Sequence, residues 1–232
     1  MGIEELPQRS RGTRMKELYP QKYTALLYGP PGVGKFEYCM DLICYYLQKG
    51  EKVIYITTEH SPEDIKNRAM GYGCDLAQYE NETLLFIDCY SWSVGTRYEK
   101  GLNISSPANL SEINVTLEKA VNTLKKPVRI VFESLSPLFL YNPPNAVTKF
   151  FQGLNTRAKM DYGFILCTLQ EDVHDPHIVN TLVYITDGFL EMEFLDEGGL
   201  KRRMRAHHLK GIDYKAEWIA FELTEKGFVL KT

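Results

Sequence analysis

This sequence has no excess of charge of one sign: 27 Lys and Arg stand against 30 Asp and Glu, a formal net charge of −3 over 232 residues. That balance argues against a chain built to lie along a nucleic-acid backbone. No run approaches the ~18 uncharged apolar residues of a membrane-spanning helix. The charged opening MGIEELPQRSRGTRMKELYP lacks the apolar stretch of a secretory signal. Met1-Gly2 opens as a myristoylation site does, but Leu6 stands where that motif needs Ser or Thr. Cysteine is sparse: Cys39, Cys44, Cys74, Cys89 and Cys167 form no C-x-x-C pair, and their number is odd. A disulfide framework or structural zinc site is therefore not expected, and a reducing, cytoplasmic location is. Internal repeats and low-complexity tracts are also missing. What remains is 44% hydrophobic and 25% charged, an ordinary globular balance, at a length that suits one large α/β domain.

Residues 1–22 are polar and basic-leaning, and are expected to form a loosely held arm ahead of a single domain at 23–232. Tyr23–Tyr28 reads as a short buried strand that runs into a glycine loop, Gly29–Gly34. From Lys35 the apolar positions recur at three and four (Phe36, Cys39/Met40, Ile43/Cys44, Leu47), which predicts a helix closed by Gly50. Val53–Thr58 is a second apolar strand. Ser61-Pro62-Glu63-Asp64 then opens a helix, with Ser61 as cap and Pro62 in first position. Leu84–Asp88 is a third strand, 91–108 a long loop, and Asn109-x-x-Glu112 the cap of another helix. Val128–Phe132, a helix over 146–160, and Phe164–Leu169 follow. Four further strands then meander: 189–195, 201–210, 218–223 and 228–231, with Asp196-Glu-Gly-Gly199 as a hairpin signal. Alternation followed by meander predicts an α/β fold: a mainly parallel sheet flanked by helices, with an antiparallel C-terminal extension.

The segment Gly29-Pro30-Pro31-Gly32-Val33-Gly34-Lys35 fits G-x-x-x-x-G-K. Glycines let successive backbone N–H groups curl around phosphate oxygens, and the following helix aims its positive end at them. Lys35 would bridge the β- and γ-phosphates. The loop follows an apolar strand and opens an amphipathic helix, the context in which the motif binds ATP or ADP. One part is missing. The next position ordinarily carries a Ser or Thr whose hydroxyl holds Mg²⁺; here it is Phe36, and a phenyl ring cannot ligate a hard cation. Glu37 lies one residue round the helix and does not replace it.

Other strand ends carry polar groups. Arg129-Ile-Val-Phe-Glu133 has the form of a Walker B strand, its acid reaching for Mg²⁺, though Glu133 is one methylene longer than the usual Asp. Thr57-Thr58-Glu59-His60 ends the second strand, where a carboxylate would face the same crevice and could activate a water. Gln170 ends the fifth and could sense the γ-phosphate. Taken alone, Glu59 and Gln170 are equally readable as ordinary polar residues at strand ends, whereas the strand-end context of Glu133 favours the site.

Together these segments resemble the KaiC-like and RadA-paralogue branch of the RecA superfamily, the archaeal single-domain type. The residues that carry the likeness are Leu-Leu-Tyr-Gly-Pro-Pro-Gly-Val-Gly-Lys, the run Ile-Thr-Thr-Glu59-His60-Ser-Pro-Glu-Asp-Ile, the Phe-Glu133-Ser-Leu strand end and the late His208-Leu-Lys210-Gly211. The resemblance implies a RecA-like P-loop NTPase fold, ATP between adjacent subunits, and a ring or filament of identical chains. It implies that Glu59 is the catalytic glutamate, Glu133 the Walker B acid and metal ligand, and Gln170 the sensor. It places Lys210 as a basic finger reaching a neighbour's site. The departures are His60 for a second Glu, Phe36 for the hydroxyl, Glu133 for Asp, and His208-Leu-Lys210 for Lys-x-Arg. The Gly-Gly loop before the first strand is also absent.

These changes fall on metal and hydrolysis groups, whereas the phosphate loop is intact. The expectation is an ATP-binding RecA/KaiC-like ATPase with weak or partner-dependent turnover and weakly held Mg²⁺. The alternative is a nucleotide-stabilised scaffold without chemistry. A DNA-binding recombinase paralogue rests only on Lys201-Arg-Arg-Met-Arg205 with His207 and His208; these could equally guard a solvated edge strand. Ser136–Pro144 is readable as a partner site or as a packed loop.

Overall fold

A computed structural model describes residues 19–195, 201–225 and 227–231. The predicted arm up to residue 18 and the 196–199 hairpin lie outside the described residues. Tyr19, at the end of the predicted arm, is buried: its ring packs on Tyr23 and Phe164, and its hydroxyl pairs with that of Tyr38 at 2.7 Å.

Among the described residues, ten strands form one sheet: β1 (Tyr23–Gly29), β2 (Val53–Thr57), β3 (Leu84–Asp88), β4 (Leu102–Asn103), β5 (Val128–Glu133), β6 (Gly163–Gln170), β7 (Gly188–Leu195), β8 (Lys201–Leu209), β9 (Ile219–Thr224) and β10 (Gly227–Leu230). Their order is β10-β9-β8-β7-β1-β6-β5-β2-β3-β4. The strands from β7 to β4 pair in parallel, and β8, β9 and β10 extend the sheet antiparallel. The α/β architecture read from the alternation is the one observed.

The pleat divides the core. On β2, Val53 and Tyr55 face one apolar cluster while Ile54 and Ile56 face the other. The first cluster is covered by α1 (Lys35–Gln48) and α2 (Pro62–Gly71). The second is covered by α3 (Leu110–Leu124), the short α4 (Leu138–Tyr141), α5 (Pro144–Arg157) and α6 (Pro176–Ile185). With helices on both faces, the central strands are buried throughout, which is why they read as continuous apolar runs.

The expected caps are in place. Ser61 Oγ accepts the Asp64 N–H at 3.1 Å, and Asn109 Oδ1 the Glu112 N–H at 3.0 Å. Several expectations are corrected. The 146–160 helix is α5 followed by one wider turn over Ala158–Tyr162. The 91–108 loop contains a tight turn, Ser91–Val94, and the two-residue β4. The Ser136–Pro144 stretch is not a loop but contains α4; Leu138 is buried, while Leu140 and Tyr141 are exposed. α6 was not anticipated, although Asp175 caps it and Pro176 opens it. The basic strand β8 is no sheet edge, since β7 and β9 flank it. Cys44 and Cys74 form a disulfide across 30 positions, against the expectation of free thiols; Cys39, Cys89 and Cys167 are free and buried. The end of α1 packs beside the turn after α2, a proximity that sequence spacing does not carry. The argument for a reducing compartment from cysteine usage falls with it. Among the described residues, no helix is long and apolar enough to cross a membrane.

Candidate nucleotide site

The strand order places the candidate residues side by side. In the run β1-β6-β5-β2, Gly29 pairs with Gln170 and Thr57 with Glu133. The carboxyl ends of four adjacent parallel strands therefore present the glycine loop, Gln170, Glu133 and Glu59 in one crevice. Gly29 must be glycine, because a Cβ there would lie 2.5 Å from the Met192 carbonyl oxygen. Gly34 turns the chain at φ +119° into α1 with no side-chain cap. The first N–H groups of α1 are thus left for an anion.

Lys35 is buried. Its ammonium donates to Gly29 O (2.6 Å), Pro30 O (2.7 Å) and Gln170 Oε1 (2.8 Å). Burial lowers its pKa to about 8, with Glu59 and Glu133 opposing that shift. Gln170 joins the lysine to the acid: its Nε2 donates to Glu59 Oε1 at 3.3 Å. Lys35, Gln170 and Glu59 are therefore in one hydrogen-bonded line. Glu133 is 3% exposed and accepts a hydrogen bond from the Tyr55 hydroxyl. Burial raises its pKa to about 8, with Tyr55 working against the shift and Glu59 adding to it.

The position after Lys35 is where the structure departs most from the ordinary motif. Phe36 is buried, and the Arg68 guanidinium carbon lies 3.5 Å from its ring centroid. Arg68 Nη1 lies 2.9 Å from His60 Nε2, and its Nη2 donates to Glu37 Oε1 at 3.3 Å; Glu37 also accepts from the Tyr72 hydroxyl. A guanidinium only donates, so Nε2 of His60 accepts and Nδ1 carries the proton. Nδ1 is buried with no partner among the described residues. Burial, then Arg68, lowers the His60 pKa.

Sequence reasoning missed Arg68 and Tyr55. Tyr55 left a signal, since a phenol inside an aliphatic strand needs a polar partner. Arg68 left none, because its role depends on how α2 lies across α1.

Lys210 is not brought to this crevice. Its ammonium donates to Thr186 O at 2.6 Å, beside Asp187, whose N–H donates to Thr24 O at the start of β1. Roughly 16 Å of strand separates that end from Gly29, at ~3.3 Å per residue. The basic run is largely paired within the chain. Arg203 pairs with Glu193, Arg205 and His207 pair with Glu191, and both arginines lie 4.4 Å from Trp218.

The chain matches the family described as ATPase: KaiC over residues 2–232. It belongs to the KaiC ATPase family. Within that family it resembles a UPF0273 protein of Methanopyrus kandleri, 27% identical over 90% of this chain and 83% of that one. A UPF0273 protein of Pyrococcus furiosus is 26% identical over 91% and 86%. The circadian clock oscillator protein KaiC of Prochlorococcus marinus is 26% identical over 100% of this chain but only 46% of its own length. The solved structure of a KaiC-like protein from Pyrococcus horikoshii superposes with a TM-score of 0.75 over 94% of each chain at 19% identity, which bears on fold alone. The fold is thus the RecA-like one of KaiC-type ATPases, and the family implies nucleotide binding, in general with Mg²⁺.

This KaiC-type site does not fit a Mg²⁺ ion held in the ordinary way. Glu59, His60 and Glu133 do place ligand-capable atoms within 4.8 Å of one another. Yet Mg²⁺ demands oxygens in near-octahedral array. Phe36 brings none, a guanidinium covers its ring, His60 Nε2 is engaged by Arg68, and Glu133 holds Tyr55.

Proposed function

We propose that this KaiC-family chain binds ATP and ADP through Gly29–Lys35, with Phe36 closing the loop, and hydrolyses ATP slowly or only with a partner. The line Lys35–Gln170–Glu59 carries the proposal. It joins the phosphate-binding lysine to a carboxylate through a side chain that donates to one and accepts from the other. Glu59 is the general base for the attacking water, and Gln170 reports the γ-phosphate to it. Glu133 is the Walker B acid, buried beside them. Charge neutralisation dominates phosphoryl transfer, and the hydroxyl that would fix the neutralising ion is replaced by Phe36. Binding therefore outlasts turnover. The scaffold reading, with no turnover at all, draws on the same residue.

We also propose assembly into a ring or filament of identical chains. Lys210 supports it: its ammonium lies remote from its own crevice, on the Thr186 carbonyl, so a role at a nucleotide would have to be in a neighbour's site. A DNA partner has less support, since the basic strand is largely paired internally. A cytoplasmic location remains part of this proposal, and so does the arm ahead of the domain, although its last residues from Tyr19 pack onto the core. Calorimetric titration with ADP tests the binding: micromolar affinity is expected. For Lys35→Ala we expect a loss of roughly 10- to 100-fold, the range for hydrogen bonds from a charged group. Unchanged affinity in that variant would refute it. Light scattering with and without an ATP analogue tests assembly; a 27 kDa species under both conditions would refute that part and any role for Lys210.

A further inference from the structure

At the first turn of α1, a fixed cation packs on the side chain that occupies the position of the ordinary Mg²⁺-holding hydroxyl. Phe36 occupies the hydroxyl position, and the guanidinium carbon of Arg68 lies over its ring, 3.5 Å from the centroid. The guanidinium is clamped by two elements other than its own. His60, just after β2, lies 2.9 Å from Nη1, and Glu37, in the first turn of α1, accepts from Nη2 at 3.3 Å. Both clamps are themselves held. Tyr72 donates to Glu37 at 3.2 Å, and the Thr57 hydroxyl donates to the His60 carbonyl at 2.6 Å. His60 belongs to the same cluster as Glu59 and Glu133, so Arg68 borders the crevice rather than the outer surface. Its side chain stays one-third exposed, and only two of its five N–H groups are engaged by these partners.

We propose that Arg68 takes the place of the divalent cation at this phosphate loop, so that the site takes free nucleoside di- and triphosphates without Mg²⁺. A guanidinium is permanently charged, and its planar fork matches phosphate oxygens. It neutralises only one charge where Mg²⁺ neutralises two, which agrees with a site suited to holding nucleotide and poorly suited to splitting it. A dication beside it would be repelled. Glu37 offsets part of the guanidinium's charge and aims the fork; the N–H groups engaged by neither Glu37 nor His60 keep the hydrogen-bonding geometry that matches phosphate oxygens. The inference rests on the nucleotide-binding reading above.

The test is ADP titration by calorimetry in EDTA and again in excess Mg²⁺. Wild type is expected to bind equally in both, within about threefold. Arg68→Gln is expected to lose about tenfold or more in EDTA, the least that a hydrogen bond from a charged group contributes. Arg68→Lys, which keeps the charge without the fork, is expected to fall between them. Thermal melting of both variants reports their folding, and the wild-type ratio stands without them. Binding by wild type that is tenfold or more tighter in Mg²⁺ overturns the inference alone. So does Arg68→Gln binding within threefold of wild type in EDTA. Absence of wild-type binding in both buffers overturns the nucleotide reading itself and this inference with it.

Discussion

The two sides of Lys35 are built for different chemistry. On one side of Lys35, the loop Gly29–Gly34 keeps every feature that cradles phosphate: the forced glycine at 29, the left-handed turn at 34, and uncapped N–H groups at the start of α1. On the other side, Phe36 and the residues across from it form an aromatic, guanidinium-covered corner. Adjacent residues of one motif therefore answer to separate demands. Anion binding draws on backbone geometry. Cation binding draws on side-chain oxygens, and can be lost while the first survives.

The largest effect expected from breaking this contrast concerns the frame the two sides share. α1 starts at the phosphate loop, α2 carries Arg68, and the Cys44–Cys74 disulfide ties their far ends across 30 positions. Replacing both cysteines by serine is expected to cost about 3.6 kcal/mol in denaturant unfolding, the chain-entropy value for a loop of about 30 residues, while ADP affinity stays within a few-fold. A large loss of affinity would mean that the two sides are not separable.

A second expectation concerns pH. Glu133 has a folded-state pKa of about 8 against an ordinary 4.5, chiefly through burial. The folded chain then holds a proton that the unfolded chain has lost. The stability this gives is complete below the unfolded value and disappears as pH rises through about 8. Lys35, lowered to about 8, acts in the opposite sense and only above that pH, where the folded chain sheds its proton first. Glu133→Gln, which mimics the neutral form, is expected to flatten the decline in stability between pH 5 and 8, as read by urea melts. An unchanged slope would place the titration elsewhere. The smallest expected effect is at the start of α2. Ser61→Ala removes the cap on the helix that holds Arg68 and is expected to cost about 1 kcal/mol.

What the sequence made legible follows the same division. The phosphate loop could be read because its information is local: seven consecutive residues between an apolar strand and an amphipathic helix. The strand ends at Glu59, Glu133 and Gln170 could be read because parallel sheets bring carboxyl ends together. The corner could not. Phe36 was visible as a gap, but what covers it comes from α2, and Arg68 looks like any helix-surface arginine until α2 is laid on α1. The same holds for Cys44 and Cys74, which meet only through that packing. β8 could not be placed, because whether a meandering strand is an edge depends on its neighbours and not on its own pattern. α6 differs: Asp175-Pro176 is a start signal, and Ile178, Leu182 and Ile185 after it have helical spacing, so this helix was legible in the residues.

We propose in this chain a competent phosphate loop beside weak hydrolytic machinery. Phosphate release from ATP, measured on wild type and Phe36→Thr at nucleotide concentrations that calorimetry shows to be saturating, tests it most directly. Wild type is expected to turn over well below ~1 s⁻¹, the lower end for ordinary enzymes, with Phe36→Thr faster. Wild-type turnover at or above that rate would contradict the account.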